Sequence, residues 1–181
     1  MNDRLIKASE VLRAQLAHSL GLDSYAQIMC GNPTSPEFQR LFNGYYRVRR
    51  DKKWREHYYR LFLNARENRY TFEQIITELF DKTKNVEASF SSKMLATIDA
   101  SKPVWDQYVL MNLGLELKGK SREEKLQNAI ALYKRIEVWY ADYLVTSEAR
   151  ENIEVFNFML PEYSWLSDTK KIDCLLWIKR K

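Results

Sequence analysis

Two ionisable residues near the middle of the chain have types and positions that could support nucleophilic catalysis. Lys93 lies in an apolar segment, directly before Met94 and Leu95. An ammonium group that is withdrawn from water has a lowered pKa, and its neutral form is a usable nucleophile. Asp106 follows Pro103 by three residues, and it is predicted to lie in a first helical turn, where orphan amide N–H groups stabilise a carboxylate. Taken singly, each residue also fits an ordinary surface role, with Lys93 reaching solvent and Asp106 as a first-turn acid.

The segment around these two residues resembles the second half of the helix-hairpin-helix DNA glycosylase core. The resemblance covers residues 87–115, where SSKMLATI precedes KPVWDQYVLMNLGL. In that superfamily, which includes the 8-oxoguanine DNA glycosylases, a Lys-bearing helix leads through a Pro-containing link to an Asp and an apolar helix. By this resemblance Lys93 matches the nucleophile that attacks the deoxyribose anomeric carbon. Asp106 matches the Asp that activates this nucleophile and stabilises positive charge on the sugar, after the base has been flipped into an apolar, partly aromatic pocket.

The same segment departs from the superfamily in two respects. The family hairpin carries two glycines just before the Lys, and their amide groups grip a phosphate, whereas KTKNVEASFSSK contains no glycine. The spacing from Lys93 to Asp106 is also shorter than is usual in the family. The alternative therefore remains open that the protein is a relative that has kept the fold but has lost or changed the chemistry.

A second candidate region is a basic stretch that is interleaved with aromatic residues. The formal charge of the chain is +5, and residues 37–70 hold ten basic against four acidic residues, a net of +6. Basic side chains release counterions on binding phosphates and rings can stack on bases, so this stretch predicts contact with nucleic acid. The alternative is a solvated helix face whose aromatic residues belong to the core. The cations predicted to bind are Arg47, Arg49, Arg50, Lys52, Lys53 and Arg55.

Other classes of site are disfavoured by motifs that the sequence lacks. Glycine-rich phosphate-binding motifs and GxSxG do not occur,. A tetrahedral zinc site would need Cys30, Cys174, His18 and His57 together, without CxxC or HExxH spacing, so no metal or cofactor is predicted. No apolar run is long enough for a transmembrane helix, and the N-terminus carries no export signal. We therefore expect a cytoplasmic protein with no membrane contact and two buried, reduced thiols.

The elements that must position these residues are predicted to be helices. Thr71 with Gln74, and more strongly Ser121 with Glu124, form capping boxes that precede apolar residues at helical spacing,. The segment IDCLLWI fits either a helix capped by Ser167 or a strand. The sequence thus predicts an all-α fold of about seven to eight helices, similar to the helix-hairpin-helix glycosylases, in a single domain over residues 1–181.

Three functions follow from these patterns and remain open. The first is a DNA-acting protein, a base-excision N-glycosylase that uses Lys93 and Asp106, and it requires both residues to face one pocket. The second is a non-enzymatic nucleic-acid-binding protein that uses the basic residues from Arg47 to Arg60. The third is a helical interaction module whose basic stretch contacts an acidic protein.

Overall fold

Helices form the framework of the described part of the chain. The computed structural model describes residues 6–15 and 21–179, and no strand occurs in these ranges. The predicted all-α class is confirmed, with ten α-helices in the described residues rather than seven or eight. Their bounds are α1 Ala8–Gln15, α2 Leu22–Met29, α3 Pro36–Tyr45, α4 Lys52–Asn68, α5 Phe72–Thr83, α6 Ala88–Ile98, α7 Gln107–Asn112, α8 Arg122–Leu144, α9 Ser147–Met159 and α10 Asp168–Ile178, with a 3-10 turn at Pro161–Tyr163. His18 lies outside the described residues.

Polar side chains at the helix N-termini explain where most of the helices begin. Thr71 and Gln74 form a complete capping box, in which Thr71 Oγ1 accepts from the Gln74 N–H at 3.3 Å and Gln74 Oε1 accepts from the Thr71 N–H at 2.8 Å. Ser121 Oγ accepts from the Glu124 N–H at 3.0 Å, but the Glu124 carboxylate accepts from the Lys120 N–H instead of returning to Ser121. The expectation that this second box is the stronger one is therefore wrong. Single side-chain caps are supplied by Ser35, Asp51, Asp106, Thr146 and Ser167.

The segment IDCLLWI belongs to a helix, and the strand alternative is wrong. Ser167 Oγ accepts from the Lys170 N–H at 3.1 Å and so caps α10 as the sequence indicated. This helix packs against α1, α7, α8 and α9. Because its neighbours cover it on several sides, the continuous apolar run reflects a buried helix and not a strand inside a sheet.

Buried apolar side chains from all ten helices form one cluster. Within it, α5 packs against α4, α6 and α8, and α2 packs against α3. An aromatic group joins α3 to α4, with the Phe38 ring 5.7 Å from that of Phe62 and the Phe42 ring 5.9 Å from that of Tyr58. This packing fixes α3 against α4, and both helices border the sites described below.

Candidate active site in a helix-lined cavity

Lys93 projects from α6 between two aromatic rings. Its Nζ lies 5.3 Å from the Phe90 ring centroid and 5.6 Å from the Tyr46 ring centroid. The side chain is half-buried, while the adjacent Met94 and Leu95 are buried on the core side of the helix. Among the described residues, no carboxylate lies within ion-pair distance of Lys93. The amine is thus partly withdrawn from water without a direct acidic partner.

Asp106 stands at the N-terminus of α7 as its cap, one residue before the helix begins. Its Oδ1 accepts from the Tyr108 N–H at 2.9 Å. The prediction that Pro103 opens this helix, and that Asp106 lies within its first turn, is wrong because the chain is not helical from Pro103 to Asp106. The predicted stabilisation by an orphan amide N–H is nevertheless present, since the bond to Tyr108 supplies it.

Two buried hydrogen bonds hold the link between α6 and α7 in its extended form. The Trp105 N–H donates to Ser92 Oγ at 2.8 Å, and the Tyr133 hydroxyl donates to the Pro103 carbonyl at 2.8 Å. The first bond joins the residue before Lys93 to the residue before Asp106. It therefore sets the position of one candidate catalytic residue relative to the other.

Lys93 and Asp106 line the same cavity, whose volume is ≈ 510 Å³. Its walls come from the C-terminus of α3, from α6, from the α6–α7 link, from α7 and from α10. We call it the catalytic cavity, after the two candidate catalytic residues that line it. Its aromatic lining consists of Tyr45, Tyr46, Phe90, Tyr108 and Trp177, and its charged lining of Arg47, Lys93, Asp106, Lys170 and Asp173.

A buried ion pair on α10, which the sequence did not single out, forms part of the wall. Lys170 Nζ lies 3.0 Å from Asp173 Oδ2, and the two side chains are only 9% and 8% exposed. The Lys170 ammonium also lies 4.7 Å from the Tyr25 ring centroid. The sequence signal for this pair was the presence of a Lys and an Asp one helical turn apart, directly before the apolar run of residues 174–178.

The two lysines of the catalytic cavity have pKa values shifted in opposite directions. Burial lowers the pKa of Lys93, and the charges of Lys170 and Arg47 lower it further, against the opposing effect of Asp106 and Asp173. Burial also opposes the charge on Lys170, but Tyr45 and Asp173 outweigh it and hold the pKa of Lys170 well above its ordinary value. Lys170 therefore remains a cation, whereas Lys93 is the amine that more readily becomes neutral.

Arg47 lies at the rim of the catalytic cavity, in a backbone conformation that is uncommon outside glycine. Its φ is 53°. The Arg47 N–H donates to the Gly44 carbonyl at 3.3 Å, and the Val48 N–H donates to the Asn43 carbonyl at 2.9 Å. This pair of bonds is a Schellman motif that ends α3, with Arg47 at the position that glycine usually takes.

The other cations predicted to bind nucleic acid do not share one face. Arg50 makes a bidentate pair with the buried carboxylate of Glu87, at 3.0 and 2.8 Å. Arg49 and Lys53 are exposed on the surface. Lys52 and Arg55 border a separate open groove between α3 and α4.

The aromatic residues of the basic stretch belong to the core rather than to an exposed stacking surface. Tyr58 and Tyr59 are 0% and 4% exposed. The Tyr58 hydroxyl donates to the Phe90 carbonyl at 2.9 Å, and the Tyr59 hydroxyl donates to Asn43 Oδ1 at 2.8 Å. These two rings therefore cannot stack on bases in the way that the sequence of the basic stretch predicted. Two other aromatic residues of the stretch, Tyr45 and Tyr46, line the catalytic cavity.

The thiols differ from the expectation of two buried cysteines. Cys174 is buried, and burial raises its pKa to about 11, but Cys30 is exposed. Neither forms a disulfide. Within residues 6–15 and 21–179, no three or more His, Cys, Asp and Glu side chains are grouped as a metal site would require.

No protein-family model, curated protein or solved structure matches this chain. Over the same described ranges, none of the helices has both the length and the apolar character needed to cross a bilayer.

Proposed function

We propose that the protein acts on DNA as a base-excision N-glycosylase, with Lys93 as the nucleophile and Asp106 as its acidic partner. The observation that carries the proposal is that an amine with a lowered pKa and a helix-capping carboxylate line one cavity with aromatic walls. The volume of ≈ 510 Å³ falls in the range typical of small-molecule sites, about 300–1,000 Å³. The residues are those that the resemblance to the helix-hairpin-helix glycosylases assigns to these two roles.

The proposed reaction begins with the neutral amine of Lys93. Its Nζ attacks C1′ of a flipped nucleotide, the N-glycosidic bond breaks, and the base leaves with the bonding electrons and takes up a proton. The carboxylate of Asp106 stabilises the positive charge that develops on the sugar. Loss of a proton from Nζ and opening of the sugar ring then give a Schiff base between Lys93 and the sugar. Lys170 is unsuited to the attacking role because its ammonium is paired with Asp173.

The defining experiment is reductive trapping of that Schiff base. The protein is incubated with duplexes that carry a panel of damaged bases or an abasic site, and sodium borohydride is added to reduce the imine to a stable amine. We expect a crosslinked band with the wild type and with Lys118→Ala, which removes an exposed lysine, and no band with Lys93→Ala. Asp106→Asn should slow base release while leaving the fold intact, because Asn also caps helices.

The outcomes separate the proposed enzyme from its alternative. A band that persists in Lys93→Ala would move the chemistry to another amine and overturn the assignment. If the wild type binds DNA but forms no adduct on any substrate, the second hypothesis replaces the glycosylase proposal. In that hypothesis the protein binds nucleic acid without acting on it as an enzyme.

The pH dependence of trapping tests the state of Lys93. Only the neutral amine attacks, so a pKa below the ordinary 10.5 raises the reactive fraction at every pH below that value. We expect the rate of adduct formation on abasic DNA to rise with pH and to reach half of its maximum below pH 10.5. A half-maximum at or above that pH would mean that an ordinary surface lysine is reacting.

A further inference from the structure

An open groove between α3 and the first half of α4 carries more positive charge than its surroundings neutralise. Its volume is ≈ 770 Å³. The charged side chains that line it are four cations and one carboxylate, namely Arg40, Lys52, Arg55, Arg60 and Glu56. We call it the α3–α4 groove. Of these cations, Arg40 lies outside the basic stretch from Arg47 to Arg60 that the sequence pattern assigned to nucleic acid.

Most of this charge is uncompensated. Lys52 Nζ lies 3.8 Å from Glu56 Oε1, at the long end of ion-pair distances. Arg40, Arg55 and Arg60 have no carboxylate within ion-pair distance among the described residues. Arg50 provides the contrast, since its Nη2 donates to both oxygens of the Glu87 carboxylate. The groove therefore presents three guanidinium groups that are available to an anionic ligand.

The spacing of these cations suits an extended polyanion better than a single small anion. Lys52, Arg55 and Arg60 project from one side of α4 over eight residues, which corresponds to about 12 Å at 1.5 Å per residue. Arg40 lies on the opposite wall, on α3. Guanidinium groups bind phosphates through paired N–H donors, and a row of them matches the repeated charges of a phosphodiester chain.

The α3–α4 groove and the catalytic cavity are lined by consecutive residues of α3 and of the turn that follows it. Asn43 lines the groove, and the next four residues, Gly44 to Arg47, line the cavity. Arg47 adds a further cation to the cavity lining, four residues after Asn43. A strand lying in the groove is thus placed close to the cavity that contains Lys93.

We propose that the α3–α4 groove holds the phosphodiester backbone of the DNA strand whose nucleotide enters the catalytic cavity. This inference rests on the proposed function, and it adds Arg40 on α3 to the residues that contact DNA. It also supplies a phosphate contact for a chain that lacks the glycines with which the helix-hairpin-helix superfamily grips phosphate.

The test compares two triple variants that lose the same charge. Arg40, Arg55 and Arg60 are changed together to Gln in the groove variant, and the exposed Arg122, Arg135 and Arg150 on α8 and α9 are changed to Gln in the control variant. Binding to a fluorescein-labelled duplex with a stable abasic-site analogue is measured by anisotropy over a range of salt concentrations. Circular dichroism confirms that both variants are helical.

We expect the groove variant to bind more weakly than the wild type and to reduce the slope of log K against log salt by about 2 to 3, at about 0.9 per lost phosphate contact. The control variant should keep the wild-type slope. Equal losses in the two variants, or no loss in the groove variant, would overturn the proposal. Displacement of the duplex by polyglutamate as effectively as by unlabelled DNA would also overturn it, because an acidic polypeptide would then be the better occupant.

The Lys93→Ala variant distinguishes failure of the groove assignment from failure of the glycosylase proposal. If this variant binds DNA like the wild type, the groove variant binds weakly, and no wild-type adduct forms, the groove assignment stands and the glycosylase proposal fails. If the wild type forms an adduct while the groove and control variants bind equally well, the enzyme stands and the groove assignment fails.

Discussion

The catalytic cavity and the α3–α4 groove are both lined by cations, but the cations differ in their exposure to solvent and in their pairing with carboxylates. Lys170 and Asp173 in the cavity are 9% and 8% exposed and are in ion-pair contact. Lys52 in the groove is 87% exposed, and its nearest carboxylate is 3.8 Å away. The charges of this buried pair are held by packing, so removing one partner destabilises the fold. The charges of the groove are solvated, so removing them should weaken ligand binding and leave the fold intact.

The largest effect expected from this difference is at the buried ion pair. Lys170→Met leaves Asp173 buried without its partner, and we expect the free energy of unfolding to fall by about 3–5 kcal/mol. The double variant Lys170→Met with Asp173→Leu should recover much of that loss, because neither charge then remains buried. Lys52→Met in the groove should leave the urea midpoint nearly unchanged. Equal costs at Lys170 and Lys52 would remove the distinction between the two regions.

A smaller effect is expected at the bond that joins the two candidate catalytic segments. Ser92→Ala leaves the buried Trp105 N–H unpaired, which should lower the free energy of unfolding by about 1–3 kcal/mol. It should also reduce adduct formation more than DNA affinity, since Asp106 is no longer held beside Lys93. The matched control is Thr71→Ala, which removes a helix cap outside the cavity at a cost of about 1 kcal/mol. If both variants lose adduct formation equally, Ser92 has no positioning role.

The smallest effect on stability is expected at Arg47, an exposed cation that lines the catalytic cavity. Glycine adopts the left-handed conformation freely, so Arg47→Gly should leave the free energy of unfolding unchanged or raise it by a few tenths of a kcal/mol. DNA affinity should nevertheless fall, because a cation is lost from the rim of the cavity. Arg47→Val has the same charge loss but should be less stable by about 1–2 kcal/mol, since a β-branched residue is strained at positive φ. Urea unfolding and anisotropy on the two variants separate the backbone effect from the charge effect.

Local patterns in the sequence were sufficient to predict the helices and the candidate nucleophile. Thr71 and Gln74 predicted the start of α5, and the apolar neighbours of Lys93 indicated its partial burial. These features depend on residues within one or two helical turns. The helical class could therefore be anticipated from short segments, whereas a shared cavity for Lys93 and Asp106 was a requirement of the glycosylase hypothesis and not a prediction from local pattern.

The features that the sequence did not predict depend on contacts between distant segments. The extended form of the chain at Pro103 is fixed by Tyr133, thirty residues later, and a helix start at Pro103 was the better local alternative. Lys170 becomes part of the cavity because α10 packs beside the end of α3, far away in the sequence. Arg40 was missed for the same reason, since the α3–α4 groove exists only once the two helices have packed together.

The position of α3 has a consequence for how the two sites influence each other. One face of this ten-residue helix borders the groove and its C-terminal end borders the cavity, so a rigid-body shift of α3 changes both sites at once. Binding free energies that are coupled in this way are reciprocal. If a ligand in the groove raises the affinity of the cavity by some factor, a ligand in the cavity raises the affinity of the groove by the same factor. The element that links the two sites is α3.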